Sequence, residues 1–271
     1  MERDKMLKVI FVIAVIVTGY FLLKPVLSEK TMKTKIVFFG LGKSDSIYIE
    51  NGRENMLIDS GLKEDKEKIL LKLQLLKVEK LDYVILTHPD KDHIGGASYI
   101  LDEFEIGEVI QSKHFKETKR EAKIAKVIKE KTIKNTIAKD DMKFELGELK
   151  VTIFTPRKDE YEKDNDYSLV TLVEDGDLNY LFAGDAEKEL LEETVELTLP
   201  KIDLYKVPHH GRKNDNSEKM IKKIIPKYSV ITNFEETGEI DDLLQDVDSK
   251  IMYVYEKDLT FFSDGKELKF K

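Results

Sequence analysis

Thr87-His88-Pro89-Asp90-Lys91-Asp92-His93-Ile94-Gly95-Gly96 follows directly on the apolar run Tyr83-Val84-Ile85-Leu86. Two histidines and two aspartates fall within six residues, where the pattern predicts the end of a buried strand. The chain has five histidines; two more are adjacent at His209-His210, and only His114 lies outside the two clusters. Metal chemistry requires such clustering. In a loop just past a strand, His88 and Asp90 can reach one ion while Asp92 and His93 reach a second.

Other predicted strands end the same way. Leu181-Phe182-Ala183-Gly184-Asp185 delivers a carboxylate whose two oxygens can bridge two cations. Val207-Pro208-His209-His210-Gly211 delivers two imidazoles. Two metals about 3.5–4 Å apart activate water and stabilise both the attacking and the leaving oxygen of a displacement. Asp166, in Asp164-Asn165-Asp166, is a weaker metal candidate, because aspartate before a strand is common turn chemistry. Asp45 and Asp59 are candidate supporting carboxylates or turn-ordering residues. Asp185 has a rival reading as a helix N-cap, and His114 reads as a surface residue.

Strands are predicted at Lys35 to Phe39, Ser46 to Glu50, Asn55 to Asp59, Leu81 to Thr87, Leu149 to Phe154, Leu169 to Glu174, Tyr180 to Ala183, Leu204 to Val207, Tyr228 to Thr232, Ile251 to Tyr255 and Leu259 to Phe262, with a short one at Val109-Ile110. Helices are predicted over Asp65 to Val78, from Gly95-Gly96 to about Glu103, and over Lys116 to Lys131, Glu187 to Leu197 and Ser217 to Ile225. Strands, then a helix, then a strand ending in ligand-type residues occur in both halves. That repetition fits an α/β protein built as an αββα four-layer sandwich better than one parallel sheet.

There is no cysteine, so thiolate catalysis, thiolate metal sites and disulfides are excluded. A net charge of −8 provides no global attraction to nucleic acid. The charge is uneven: Lys113 to Lys139 carries ten Lys/Arg and three Glu, and Phe234 to Ser249 carries seven acids and no base. Each run reads as a solvated face, and the basic one also as a rim for a polyanion. Val9 to Leu23 is uncharged and almost wholly apolar, preceded by Arg3, Lys5 and Lys8 and ended by Lys24-Pro25. It is shorter than the roughly 20 residues of a spanning helix, but Lys8 and Lys24 can snorkel and Pro25-Val26-Leu27 extends it. The expected organisation is a short cytoplasmic N-terminus (1–8), a transmembrane signal-anchor (9–27), a linker (28–34) and an extracellular catalytic domain (35–271). A cleaved signal peptide with a secreted product, or a buried N-terminal helix, are the alternatives.

Thr87 to Gly96 resembles the HxHxDH loop of metallo-β-lactamase-fold hydrolases, with Asp90 at the second histidine's place. Together with Gly42-Lys43-Ser44-Asp45-Ser46, Asn165-Asp166-Tyr167-Ser168-Leu169-Val170, Leu181 to Asp185 and Val207 to Gly211, it looks like the branch that includes ComEC-like competence proteins. The resemblance covers about Lys35 to Lys271. It implies that His88 and Asp90 match the first-metal positions, Asp92 and His93 the second, and Asp185 the bridge. The last histidine ligand then comes from the His209-His210 pair, His209 being favoured. Asp92 and His93 are the expected catalytic pair. The chain departs from the family pattern at Lys43, Ser44 and Arg212, and has no histidine in Asp164 to Ser168, where the family has its third. Asp90 makes the donor set harder, so two divalent ions, Zn or Mn, are expected.

The function these features favour is a membrane-anchored extracytoplasmic hydrolase of phosphodiesters or DNA using a metal-bound hydroxide. The rivals are a lactam or other acyl hydrolase, and a degenerate metal-binding accessory protein without catalysis.

Overall fold

The computed structural model describes residues 32–234 and 238–271, with Phe11, Ile13 and Thr18. The expected anchor (9–27) and the segments flanking it fall almost wholly outside the described residues. Among the described residues, no helix is long and apolar enough to cross a membrane.

The strands form two sheets. The first contains β1 (Thr34–Phe38), β2 (Ile47–Asn51), β3 (Glu54–Ile58), β4 (Lys80–Leu86), β5 (Glu105–Ser112), β6 (Lys134–Ala138), β14 (Leu259–Ser263) and β15 (Leu268–Phe270), in the order β15-β14-β1-β2-β3-β4-β5-β6. The second contains β7 (Met142–Leu146), β8 (Leu149–Phe154), β9 (Val170–Asp175), β10 (Leu178–Phe182), β11 (Leu204–Lys206), β12 (Tyr228–Thr232) and β13 (Lys250–Val254), in the order β13-β12-β11-β10-β9-β8-β7. Strands β3 to β6 are parallel to one another, as are β10 to β13.

Three apolar clusters make four layers. Ile36, Phe38, Ile58 and Ile85 of the first sheet meet Val151, Tyr180, Phe182 and Val230 of the second between the sheets. Val84, Leu86 and Val109 pack outward against α1 (Lys66–Leu75), α3 (Ala97–Glu103) and α4 (Lys119–Glu130). Leu181, Tyr205 and Ile231 pack outward against α5 (Lys188–Glu196), α6 (Ser217–Ile224) and α7 (Asp241–Gln245). Central strands are thus covered on both faces, which is why Val84-Ile85-Leu86 is a continuous apolar run rather than an alternation. The expected αββα arrangement of two sheets and flanking helices is the observed one.

The sequence reading misses β6, β7, α7 and the single turn Lys91–Ile94, gives no bounds for the terminal β15, and shortens β5 to two residues. Both missed strands lie at sheet edges, where Lys134, Asn135, Lys143 and Glu145 face solvent. Charged edge positions hide the strand pattern while blocking edge-to-edge association.

The topology places the functional segments together. Parallel strands β3 and β4 deliver Asp59 and the Thr87–His93 loop at one edge, which continues into the one-turn helix α2 (Lys91–Ile94). In the second sheet β10, β11 and β12 run parallel and deliver Asp185, the His209-His210 turn and Thr232 to a common edge. Strand β2 runs antiparallel to β3, so Asp45, just before it, arrives at the same edge as Asp59.

Candidate metal centre

Asp92, His93, Asp185 and His210 each offer a donor atom within 4.8 Å of the others'. Asp92 and His93 come from the loop after β4, and Asp185 and His210 from turns after β10 and β11. His93 Nε2 lies 3.1 Å from Asp185 Oδ1, and His210 Nε2 lies 3.4 Å from Asp185 Oδ2 and 3.3 Å from Asp92 Oδ2. The His88 ring stands 4.1 Å from that of His93, centroid to centroid.

Each of the three buried imidazoles is tied back through Nδ1. His93 Nδ1 is 2.7 Å from Asp59 Oδ2, His210 Nδ1 is 2.9 Å from the Thr232 carbonyl, and His88 Nδ1 is 3.1 Å from Thr87 Oγ1. Thr87 donates its own hydroxyl proton to Asp59 Oδ2, so its oxygen is left to accept from His88. All three Nε2 atoms are buried and none makes a well-aligned hydrogen bond: those of His93 and His210 face the cluster carboxylates at 3.1–3.4 Å, and that of His88 has no partner. A buried ring nitrogen without a partner is costly, and rings anchored at one nitrogen with the other free are arranged as metal-ligating histidines are. With two carboxylates and no sulfur, the set Asp92, His93, Asp185 and His210 fits a divalent zinc- or manganese-type ion.

Charge shapes the site. Burial drives His88 down to about 4, with the neighbouring His93 acting in the same direction. Burial opposes charge on His93 too, but Asp185 and Asp59 outweigh it and raise its pKa well above the usual value. Burial would raise Asp185, yet His210, His93 and Lys206 hold it well below the usual carboxylate range. Asp92 is also lowered, as His210 and His93 overcome burial.

Lys206, in the middle of the apolar stretch Leu204-Tyr205-Lys206-Val207, was not singled out from the sequence. It is 1 % exposed. Its ammonium pairs with Asp45, donates to the Gly184 carbonyl at 2.8 Å and lies 3.4 Å from Asp185 Oδ1. Burial disfavours this charge, but Asp45 and Asp185 more than offset it and the pKa rises. The discoverable signal was a lysine inside a buried strand three residues before a histidine pair.

Asp45 and Asp59 are not bare turn residues. Asp45 accepts from Thr232 Oγ1 at 2.5 Å and lies 3.7–3.8 Å from the Nδ1 atoms of His210 and His93. Asp59 adopts φ +60°, a left-handed conformation costly for a non-glycine residue, and accepts from Thr87 N as well as from its hydroxyl. Gly184 also needs positive φ, and a Cβ there would lie 2.9 Å from the Ser168 side chain. That close approach lets Ser168 Oγ accept from Asp185 N.

Two expectations are corrected and one rival reading is set aside. The histidine brought to the cluster is His210, not the favoured His209. Both take left-handed backbone, at φ 53° and 48°, which turns the two rings apart. His209 is directed at Glu187, 3.2 Å away, and burial lowers its pKa. Asp166 is turned away from the cluster: it accepts from the backbone N–H groups of Glu187, Glu189 and Leu190 and closes the start of α5. Four orphan donors at a helix start attract such a carboxylate. Asp185, read alternatively as an N-cap, does not serve as one; Glu187 holds the N-cap position.

Asp90 sits apart from the four-residue cluster. Its Oδ2 is 4.0 Å from His88 Nε2, and its Oδ1 is 2.6 Å from Lys116 Nζ. His114 lies outside the cluster, stacked on Tyr167 and 2.9 Å from Asp164.

On α4, Ile124 and Ile128 are buried while Lys119, Lys123, Lys126 and Lys129 face solvent. Arg120 Nη2 donates to the Pro89 carbonyl and pins this helix to the ligand loop. Between them lies a cleft of about 430 Å³ where Lys63, Lys91, Lys119, Arg120 and Lys123 outnumber Glu64.

A family model described as "Metallo-beta-lactamase superfamily" matches residues 39–232. ComE operon protein 3 of Bacillus subtilis (strain 168) is 28% identical over 212 residues, 71% of this chain and 27% of that protein. Recombination protein 2 of Haemophilus influenzae is 29% identical over 239 residues, 86% of this chain and 28% of that protein. The match thus spans little more than a quarter of the length of either relative. Among solved structures, the metallo-beta-lactamase fold protein YhfI from Bacillus subtilis superposes with a TM-score of 0.59 at 13% identity, over 85% of this chain and all of that one.

Proposed function

The chain belongs to the metallo-beta-lactamase superfamily, and from that membership we propose that it is a metal-dependent hydrolase of phosphodiester bonds, with DNA as the substrate class. The observation that carries the metal half of this reading is the convergence of donor atoms from Asp92, His93, Asp185 and His210 within 4.8 Å of one another, with both imidazoles held from behind through Nδ1. The cationic cleft beside the ligand loop supports an anionic substrate. The two relatives, one a ComE operon protein and one a recombination protein, favour nucleic acid over a lactam or other acyl compound.

Asp92, His93, Asp185 and His210 would hold the ion. A divalent ion there supplies Lewis acidity and a water ionisable near neutral pH. Asp59, Thr87 and Thr232 fix the imidazole orientations, so the donors need no rearrangement to bind. Lys206 pairs with Asp45 beneath the site and, together with His210 and His93, keeps Asp185 ionised. Asp92 and its loop neighbour Asp90 are the partly exposed acids, at 22% and 34%, and would form the side from which substrate arrives. Residues 9–27 would tether this domain to a membrane with the site outside the cytoplasm; protease digestion of intact cells tests that placement.

Purified protein supplied with Mn or Zn should hydrolyse bis-p-nitrophenyl phosphate and single-stranded DNA and leave nitrocefin untouched. Phosphodiester activity no greater than that of an Asp92→Ala/His93→Ala variant would overturn the reading.

A further inference from the structure

Superfamily resemblance implies two metal positions, and the two halves of this site differ in kind. The half formed by Asp92, His93, Asp185 and His210 brings four donors within reach of one point. The other half has His88 and Asp90, no histidine in Asp164 to Ser168, and a lysine paired with Asp90.

Lys116 Nζ lies 2.6 Å from Asp90 Oδ1 and 2.7 Å from Asp164 Oδ2. Asp164 comes from the segment in which the family places its third histidine. The ammonium therefore stands between a carboxylate of the ligand loop and one from the segment expected to complete the first metal position. Its delivery is built in. Lys116 N donates to Glu121 Oε1 at 2.8 Å, and Glu121 N donates to the Thr118 hydroxyl that caps α4. The second carboxylate is held as well, with Asp164 Oδ1 2.9 Å from His114 Nε2 and the His114 ring stacked on Tyr167 at 4.0 Å. A lysine ammonium has three donors and no lone pair, so it satisfies two carboxylates by charge and cannot share them with a metal ion at the same place.

We propose that Lys116 is the resident cation of the first position, and that this chain is a one-metal member of its superfamily whose metal sits only with Asp92, His93, Asp185 and His210. The proposal deepens the hydrolase reading and rests on its metal assignment, not on the identity of the substrate. In this arrangement the Lys116 charge takes over the electrostatic part of the missing ion's role on the His88–Asp90 side. It supplies a hydrogen-bond donor there in place of a Lewis acid.

The test is metal stoichiometry. The full chain, stripped with chelator and reloaded separately with Mn and with Zn, is desalted and its metal-to-protein ratio measured by elemental analysis, with affinities from chelator competition. Wild type should retain a single ion per chain. Lys116→Met, which keeps the length of the stem and removes the charge, should retain a second, while Lys116→Arg should stay at one. Wild type retaining two ions would overturn the proposal, and so would a Lys116→Met protein that stays at one while its circular dichroism matches wild type. If Lys116→Met does not fold, Asp164→Asn is the second variant: a freed ammonium remains on Asp90, so one ion is expected and two would refute. Because the readout is metal content, loss of the phosphodiesterase reading would leave this result standing, and the converse also holds.

Discussion

His93 presents Nδ1 to Asp59 Oδ2 at 2.7 Å and Nε2 to Asp185 Oδ1 at 3.1 Å, so one buried imidazole joins a carboxylate behind the site to one within it. Asp59 fixes which nitrogen faces the metal. Asp59→Asn should therefore lower metal affinity by about 10–100-fold. Chelator competition measures it, and an unchanged affinity would reduce Asp59 to a turn residue.

Lys206 is a buried cation between Asp45 and Asp185. Lys206→Met leaves two buried carboxylates short of a counter-charge and should destabilise the metal-free protein by about 3–5 kcal/mol. A bound divalent ion compensates Asp185, so the loss should shrink in the loaded protein. Urea denaturation with and without Mn checks both parts, and an equal loss in the two states would count against the charge argument.

Stability of the metal-free protein should depend on pH from two directions. His88 is depressed to about 4 when folded, so between its ordinary value of 6.5 and 4 the unfolded chain binds the extra proton, and stability falls as pH falls. His93 is raised when folded, so its contribution is complete below 6.5 and is lost as pH climbs toward its folded value. Urea midpoints at pH 5, 6.5 and 8 should thus be highest in the middle. His88→Gln should flatten the acid limb by at most about 2 kcal/mol at pH 5, which lies 1.5 units below 6.5, since one pKa unit is worth about 1.4 kcal/mol. A His88→Gln profile parallel to wild type would remove His88 as the cause.

Asp166 and His210 separate capping from ligation. Asp166→Ala removes the acceptor for three backbone N–H groups at the start of α5 and should cost about 1–2 kcal/mol of stability with metal content unchanged. His210→Ala should abolish retention of the metal, and His209→Ala should not. Elemental analysis beside thermal melts decides between these, and metal loss in the Asp166 variant would return that residue to the ligand shell.

Much of this was legible in the chain because the chemistry clusters in sequence. The run His88 to His93, the strand ends at Asp185 and at the His209-His210 pair, and the repeated strand–helix pattern gave the layers and named all four residues that converge. Three kinds of information were not local. Which of two adjacent histidines turns inward depends on paired left-handed backbone at 209 and 210, and nothing in Pro-His-His-Gly alone specifies that. The function of Asp166 depends on a helix that starts some twenty residues later and packs onto it. Lys206 and Lys116 looked like ordinary lysines until pairing with Asp45 and Asp90, 161 and 26 residues away, gave each a buried or half-buried counter-charge. The edge strands β6 and β7 were hidden by the charges that keep them from aggregating.

Asp92 and His93 hang from the first sheet, and Asp185 and His210 from the second. The ion they would share is thus a cross-brace over the seam between two layers otherwise joined by apolar packing. Its binding free energy adds to the cohesion of the whole sandwich by mass action. A cell that starved this protein of metal would then both silence it and render it easier to unfold and degrade, so abundance and activity would follow metal supply together.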